Sequence, residues 1–147
     1  MAAGADEVRV EVVGVFEQQV TLGDREHRMP VLLLRDPPAT REVRVPIGSC
    51  EGLAIQIALE RRLVPRPYTH DLALRLLEKL SARLESVVVD AVSADTSHAT
   101  LRVCAAEGPL MMDARAGDAV ALALRAEAPI FVAEELLVDA GTEDPLS

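Results

Sequence analysis

Apolar and polar residues alternate through Glu7-Val8-Arg9-Val10-Glu11-Val12, the two-residue period of a half-buried strand. Gln18 to Arg28 is polar, and Gly23-Asp24 marks a turn within it. Met29 to Leu34 is an unbroken apolar run, which predicts a more central strand, and Asp36-Pro37-Pro38 ends it. Alternation returns over Glu42 to Ile47, through Val43, Val45 and Ile47. Three strands in series with short connections predict an antiparallel meander.

The period then lengthens. Gly48 closes the third strand, and Ser49 is placed to cap a helix running to about Leu63, with Leu53, Ile57 and Val64 on its apolar face. Pro65 and Pro67 interrupt it. Thr69 reads as the N-cap of a second helix from His70 to about Leu84, with Leu72, Leu76, Leu77, Leu80 and Leu84 as its buried stripe. Arg75, Lys79 and Arg83 line an adjoining face, either solvated or able to meet a polyanion. Two strands follow, Ser86 to Val92 and His98 to Ala105, with Asp95-Thr96 as the hairpin turn. Leu110 to Asp113 reads as a short strand, Asp118 to Arg125 as an Ala- and Leu-rich helix, Ile130 to Val132 as a strand, and Glu134 to Asp139 as a terminal helix. Strands and helices are grouped rather than strictly alternating. The expected fold is therefore α+β, a mixed or mainly antiparallel sheet with helices packed against it. A single domain over residues 1–140 and a loose acidic tail over 141–147 are expected.

Composition narrows the function. The 147 residues carry a formal net charge of −9. Tight, nonspecific binding to a nucleic-acid backbone needs clustered cations instead. Phe16, Tyr68 and Phe131 are the only aromatics, so the core must be aliphatic and base-stacking platforms are few. Cys50 and Cys104 stand far apart with no zinc-ligand spacing. Asp6, Glu7, Arg9 and Glu11 argue against a signal peptide, and no apolar run is long enough to span a membrane. A cytoplasmic protein with reduced thiols is expected.

Polar chemistry gathers at three helix starts. The first reads Ile47-Gly48-Ser49-Cys50-Glu51-Gly52; Glu51 there also suits the helix dipole with no further role. The second, Arg66-Pro67-Tyr68-Thr69-His70-Asp71-Leu72, puts a cation, an imidazole and a carboxylate where one helix ends and another begins. His70 can exchange a proton while a carboxylate orients it, and Arg66 can clamp a phosphate. Capping by Thr69, a dipole role for Asp71 and simple packing of His70 explain the same residues structurally. The third, Asp113-Ala114-Arg115-Ala116-Gly117-Asp118-Ala119, offers two carboxylates and a guanidinium; its structural explanation is a capping Asp118 and an Arg115–Asp113 pair. Brought together, the three starts would make a phosphate or metal-phosphate site. Walker A, G-x-G-x-x-G, G-x-S-x-G and H-E-x-x-H signatures are absent from the sequence.

Read in order, the motifs resemble the bifunctional nuclease domain family. The resemblance rests on Pro46-Ile47-Gly48 with Glu51-Gly52, on Arg66 to Leu72, on Asp113 to Ala119 and on Ala128-Pro129-Ile130, and spans Val8 to about Leu137. It implies an α+β fold, frequent assembly as a dimer, and nuclease activity, plant members being described as acting on both DNA and RNA. Two departures stand out. The family's Pro-Ser in the third motif is Ala116-Gly117, and its frequent Phe-Tyr-Ala on a central strand is Ser97-His98-Ala99.

The expectation is thus a nuclease or phosphodiesterase that takes nucleic acid as a transient substrate. His70, Asp71, Asp113 and Asp118 are its expected catalytic residues. Asp71, Asp113, Asp118 and Glu51 would hold a divalent cation, Mg²⁺ or Mn²⁺ by the hardness of their oxygens. Arg66 and Arg115 would neutralise the phosphate. No organic cofactor and no membrane association are expected, and a homodimer is. The alternative is a non-catalytic dimeric binding or regulatory module with an anion pocket.

Overall fold

The computed structural model describes residues 6–93 and 96–141. Asp95 of the expected hairpin turn, and all of the expected tail but Gly141, lie outside the described residues. In chain order these form β1 (Glu7–Leu22), β2 (Arg25–Arg35), β3 (Arg41–Pro46), α1 (Ser49–Glu60), α2 (Thr69–Lys79), β4 (Arg83–Val92), β5 (Ser97–Ala105), β6 (Gly108–Arg115), α3 (Ala116–Ala126), β7 (Ile130–Ala133), a 3-10 turn (Glu134–Leu136) and β8 (Val138–Asp139). The strands make one eight-stranded sheet in the order β6-β5-β4-β7-β1-β2-β3-β8. Every pairing is antiparallel except β4 with β7. The architecture is α+β with a mostly antiparallel open sheet, as the grouping of periods predicts.

The meander β1-β2-β3 forms as expected. Val31 to Leu34 is buried on both sides of the strand, which explains its unbroken apolar run. β1 does two jobs. Glu7 to Val10 pair with β7, and from Glu11 onward the strand pairs with β2. A register shift between Val12 and Gly14 follows soon after the change of partner, inside the stretch paired with β2, the local bend that a bulge introduces. The polar stretch from Gln18 to Arg28 is not a loop. It is the far end of the β1–β2 ribbon, turned at Gly23, whose φ of 65° suits a two-residue hairpin.

The core is aliphatic, with Leu32, Leu34, Val45, Ile55, Val87, Val89, Val120 and Val132 fully buried. α3 is its central helix: it touches α1, α2, β4, β5 and β6, and Ala119 to Ala123 are buried. α1 ends at Glu60 rather than about Leu63, with Arg61 in the left-handed region at φ 52°. Ile55 and Ile57 face inward, whereas Leu53 is exposed.

Two expectations are corrected. α2 stops at Lys79, and Ser81, at φ 60°, turns the chain into β4, so Leu84 is a buried strand residue. The stripe Leu72, Leu76, Leu80 is exposed at 50%, 55% and 74%. α2 instead turns Ala73, Leu74 and Leu77 inward, each half-buried. The expected terminal helix over Glu134 to Asp139 is only the 3-10 turn, after which Val138 and Asp139 pair with β3. A β-branched residue beside the unpaired edge of β3 favours that ending over a short isolated helix.

Candidate active site

Three helix starts come together, each fixed by its own local chemistry. α1 follows β3 through Ile47 and Gly48. Its N-cap is Gly48, which has no side chain to cap with, rather than Ser49. α2 begins at Thr69 with Tyr68 as N-cap, and Asp71 reaches back so that its Oδ2 accepts the Tyr68 N–H at 3.0 Å. The capping group is therefore Asp71, not Thr69. α3 starts directly from β6, with Arg115 as the residue between strand and helix.

Asp118, in the first turn of α3, joins two of the motifs. Its Oδ1 lies 2.7 Å from His70 Nε2, and its Oδ2 accepts Arg115 Nε–H at 3.1 Å. Arg115 Nη1 lies 3.8 Å from Glu51 Oε1, which brings in the third motif. His70 is 12% exposed and Glu51 7%, while Arg115 is 70% exposed and can swing to a ligand. Asp118, then its own charge and that of Glu51, hold the Arg115 guanidinium more firmly protonated. His70, Arg115 and Asp118 face a cleft of about 390 Å³ between α1 and the start of α2, lined also by Cys50 and Tyr68. Cys50 is exposed there. A carboxylate only accepts, so Nε2 carries the hydrogen shared with Asp118, and that contact fixes the ring.

Asp71 belongs elsewhere. Its Oδ1 accepts Arg125 Nε–H at 2.7 Å, and Arg125 is 8% exposed. Burial alone would raise the Asp71 carboxyl, but the Tyr68 amide and Arg125 outweigh it and hold it below its ordinary value. Arg66 lines the same side as Asp71 and not the His70 cleft. Asp113 stays on β6, exposed and opposite Thr100, so Arg115 pairs with Asp118 and Glu51 rather than with Asp113.

A family profile described as the bifunctional nuclease domain matches residues 32–145. The chain belongs to the bifunctional nuclease domain family. It is also 35% identical over 132 residues to uncharacterized proteins from two strains of Mycobacterium tuberculosis, covering 90% of this chain and 75% of theirs.

In this bifunctional nuclease domain, Glu51, His70, Arg115 and Asp118 lie together, a convergence the sequence left open, whereas Arg66, Asp71 and Asp113 do not join them. The expected metal quartet does not fit this arrangement. Both oxygens of Asp71 and both of Asp118 already accept bonds from donors. Among the described residues, no three His, Cys, Asp or Glu side chains are grouped so as to hold a metal ion. The residue that sequence reasoning missed is Arg125, which engages Asp71. It lies in the last turn of an Ala-rich helix, where a cation is favoured by the dipole alone and signals nothing more. The departure at Ser97 also has a visible result: its hydroxyl is buried without a hydrogen-bond partner among the described residues. It lines a cavity of about 290 Å³ shared with Glu51 and Gly117.

Proposed function

We propose that this bifunctional nuclease domain cleaves phosphodiester bonds of nucleic acid at the His70–Asp118–Arg115 cluster. The observation that carries the reading is the 2.7 Å His70–Asp118 contact with Arg115 on the other carboxylate oxygen, at the edge of an open cleft. His70 Nδ1 is the general base, Asp118 orients it, and Arg115 neutralises the phosphate. Tyr68, 48% exposed at the cleft, offers a face on which a base can stack. A ribose 2′-OH is a nucleophile already held beside its phosphorus, so RNA is the faster substrate. There the O2′–P bond forms, the P–O5′ bond breaks, His70 takes the O2′ proton, and the leaving oxygen is protonated by solvent. On DNA the same base must activate water.

The second reading is a non-catalytic binding or regulatory module. The full engagement of the Asp71 and Asp118 oxygens by protein donors favours it. In both readings the protein works in the cytoplasm, in keeping with the exposed thiol of Cys50, and as a homodimer, in keeping with the exposed leucine face of α2.

Cleavage of labelled single-stranded RNA and DNA, in Mg²⁺, Mn²⁺ or EDTA, separates the readings. His70→Ala and Asp118→Asn are expected to lower kcat by about 100- to 10,000-fold with melting temperature nearly unchanged, the range of general acid–base catalysis. RNA cleavage that survives EDTA supports the base mechanism; loss in EDTA returns the divalent cation to the reaction. No cleavage by the wild-type protein under any of these conditions sinks the nuclease reading in favour of the second.

A further inference from the structure

Consecutive residues at the start of α2 look into different cavities. His70 lines the cleft described above, and Asp71 lines a second cavity of about 470 Å³. Arg62, Arg66, Arg75 and Arg125 line this second cavity, against only two carboxylates, Asp71 and Glu78. Such a concentration of guanidiniums is unexpected on a chain whose net charge is −9. A concave wall of one sign focuses the field and draws in the opposite charge.

The individual partners sharpen the picture. Arg62 is paired with Glu60 on the helix it follows. Asp71 is committed to Arg125 and to the Tyr68 amide. Arg66 and Arg75 are exposed, and neither is in a close ion pair with a carboxylate among the described residues, although the charge of Arg75 reaches Asp71. Arg125 is the built element. Its side chain is 8% exposed, its Nε–H donates to Asp71, and its Nη1–H donates to the Ala121 carbonyl at 2.9 Å. Its Nη2 is buried with no hydrogen-bond partner among the described residues. A buried charged donor without an acceptor is costly to keep in a fold. Pro65 and Pro67 flank Arg66, limiting the backbone freedom lost when it engages a ligand.

We propose that Arg66, Arg75 and Arg125 form a phosphate-binding site distinct from the His70 cleft. Its ligand is a phosphate oxyanion carrying two or more negative charges, either a free phosphate or adjacent phosphates of a nucleic-acid strand. Arg66 and Arg75 bind it from the solvent side in the planar, two-pronged way guanidiniums hold phosphate. Arg125 adds its positive charge from the cavity wall, held in place by Asp71 and the Ala121 carbonyl. The site stands without the cleavage reading. If both hold, a strand crosses the start of α2, one phosphate at Arg115 and another at Arg66.

The test is calorimetric titration of the full chain with inorganic pyrophosphate at low salt, for wild type, Arg66→Ala/Arg75→Ala and His70→Ala. Binding to wild type and to His70→Ala, weakened at least tenfold in the double variant with its melting temperature unchanged, supports the site. Absence of wild-type binding, or equal binding by the double variant, overturns it. A six-nucleotide single-stranded DNA then distinguishes the sources. Competition with pyrophosphate assigns the site to a strand, and its absence assigns it to free phosphate. Both outcomes are read without any cleavage, so a failed nuclease assay leaves this result intact.

Discussion

Gly117 sets how closely the starts of α1 and α3 meet. A Cβ built on it would stand 2.7 Å from Glu51 Cβ and 3.2 Å from Ile47 Cγ2. Neither neighbour is the loose end of a long side chain, so one of the two helices would have to move. Gly117→Ala gains up to about 1 kcal/mol of helix propensity, against an overpacking cost of about 1–3 kcal/mol. The expected net is a fall in melting temperature of a few degrees, roughly 2–4 °C per kcal/mol for a chain near this size. A rise in melting temperature would show that the contact yields freely. The sequence shows the departure from Pro-Ser here, and the structure shows how closely the two helix starts meet there. A missing side chain is visible in sequence, but what fills its space is not. Two aspartates make a pH prediction at this same scale. Backbone donation by Arg41 lowers the Asp36 carboxyl, burial opposes it, and further bonds from Thr40 and Arg41 add to the lowering. Asp71 is lowered as well, its donors overcoming burial. A depressed carboxyl stabilises the fold fully above the ordinary value of 3.8 and loses that contribution as pH falls through its folded value. Melting temperature should therefore drop on acidification below about 4, and Asp36→Asn or Asp71→Asn should flatten that drop while lowering stability at pH 7. An unchanged acid limb in both variants would contradict it.

The elements were legible where period and chemistry agreed. β1, β3 and α3 follow the apolar spacing, because one sheet face or one helix face decides their burial; β2 shows as an unbroken run because both its faces are covered, and α1 was legible as a helix but not in its face, since Leu53 is exposed. α2 was misread for a physical reason. Leu72, Leu76 and Leu80 recur with helical spacing, and a stripe of that kind shows only that one face is apolar, not what covers it. Within the chain the covered face is Ala73, Leu74 and Leu77, on a helix that packs against α3. The leucines are left outward on neighbouring turns, which supports a second copy of the chain as their cover. Leu76→Glu/Leu80→Glu should then shift sedimentation from dimer to monomer with little change in the circular dichroism of the monomer. A dimer that survives both charges would move the interface elsewhere, for example to Leu110, Met111 and Met112 on the edge strand β6. The same limit applies to the site. His70 and Asp118 were each recognisable in their motifs, yet the 2.7 Å contact between them depends on how α2 leans on α3. The separation of Asp71 from Asp118 depends on Arg125, which no local pattern singled out.

At the scale of the molecule, the least legible feature was the place of β7. Ile130 to Val132 reads as a short strand, but its partners lie far away in sequence, at Val8 and Val10 on one side and at Val87 to Val89 on the other. Pairing across such distances is decided by the assembled sheet and not by local alternation. Ending the chain after Ala128 should therefore abolish cooperative unfolding, as judged by urea titration, although only the last part of the sequence is lost. A truncated protein that still melts cooperatively would show that β4 and β1 can pair directly. The position of β7 also has a consequence for biosynthesis. The ribosome releases the β1-β2-β3 meander first and the β4-β5-β6 meander next, and each waits with one open edge for the same late strand. At about 5–20 residues per second that wait lasts on the order of seconds. For that time the nascent chain is two unjoined halves, and a chaperone that holds bare strand edges has its longest opportunity there.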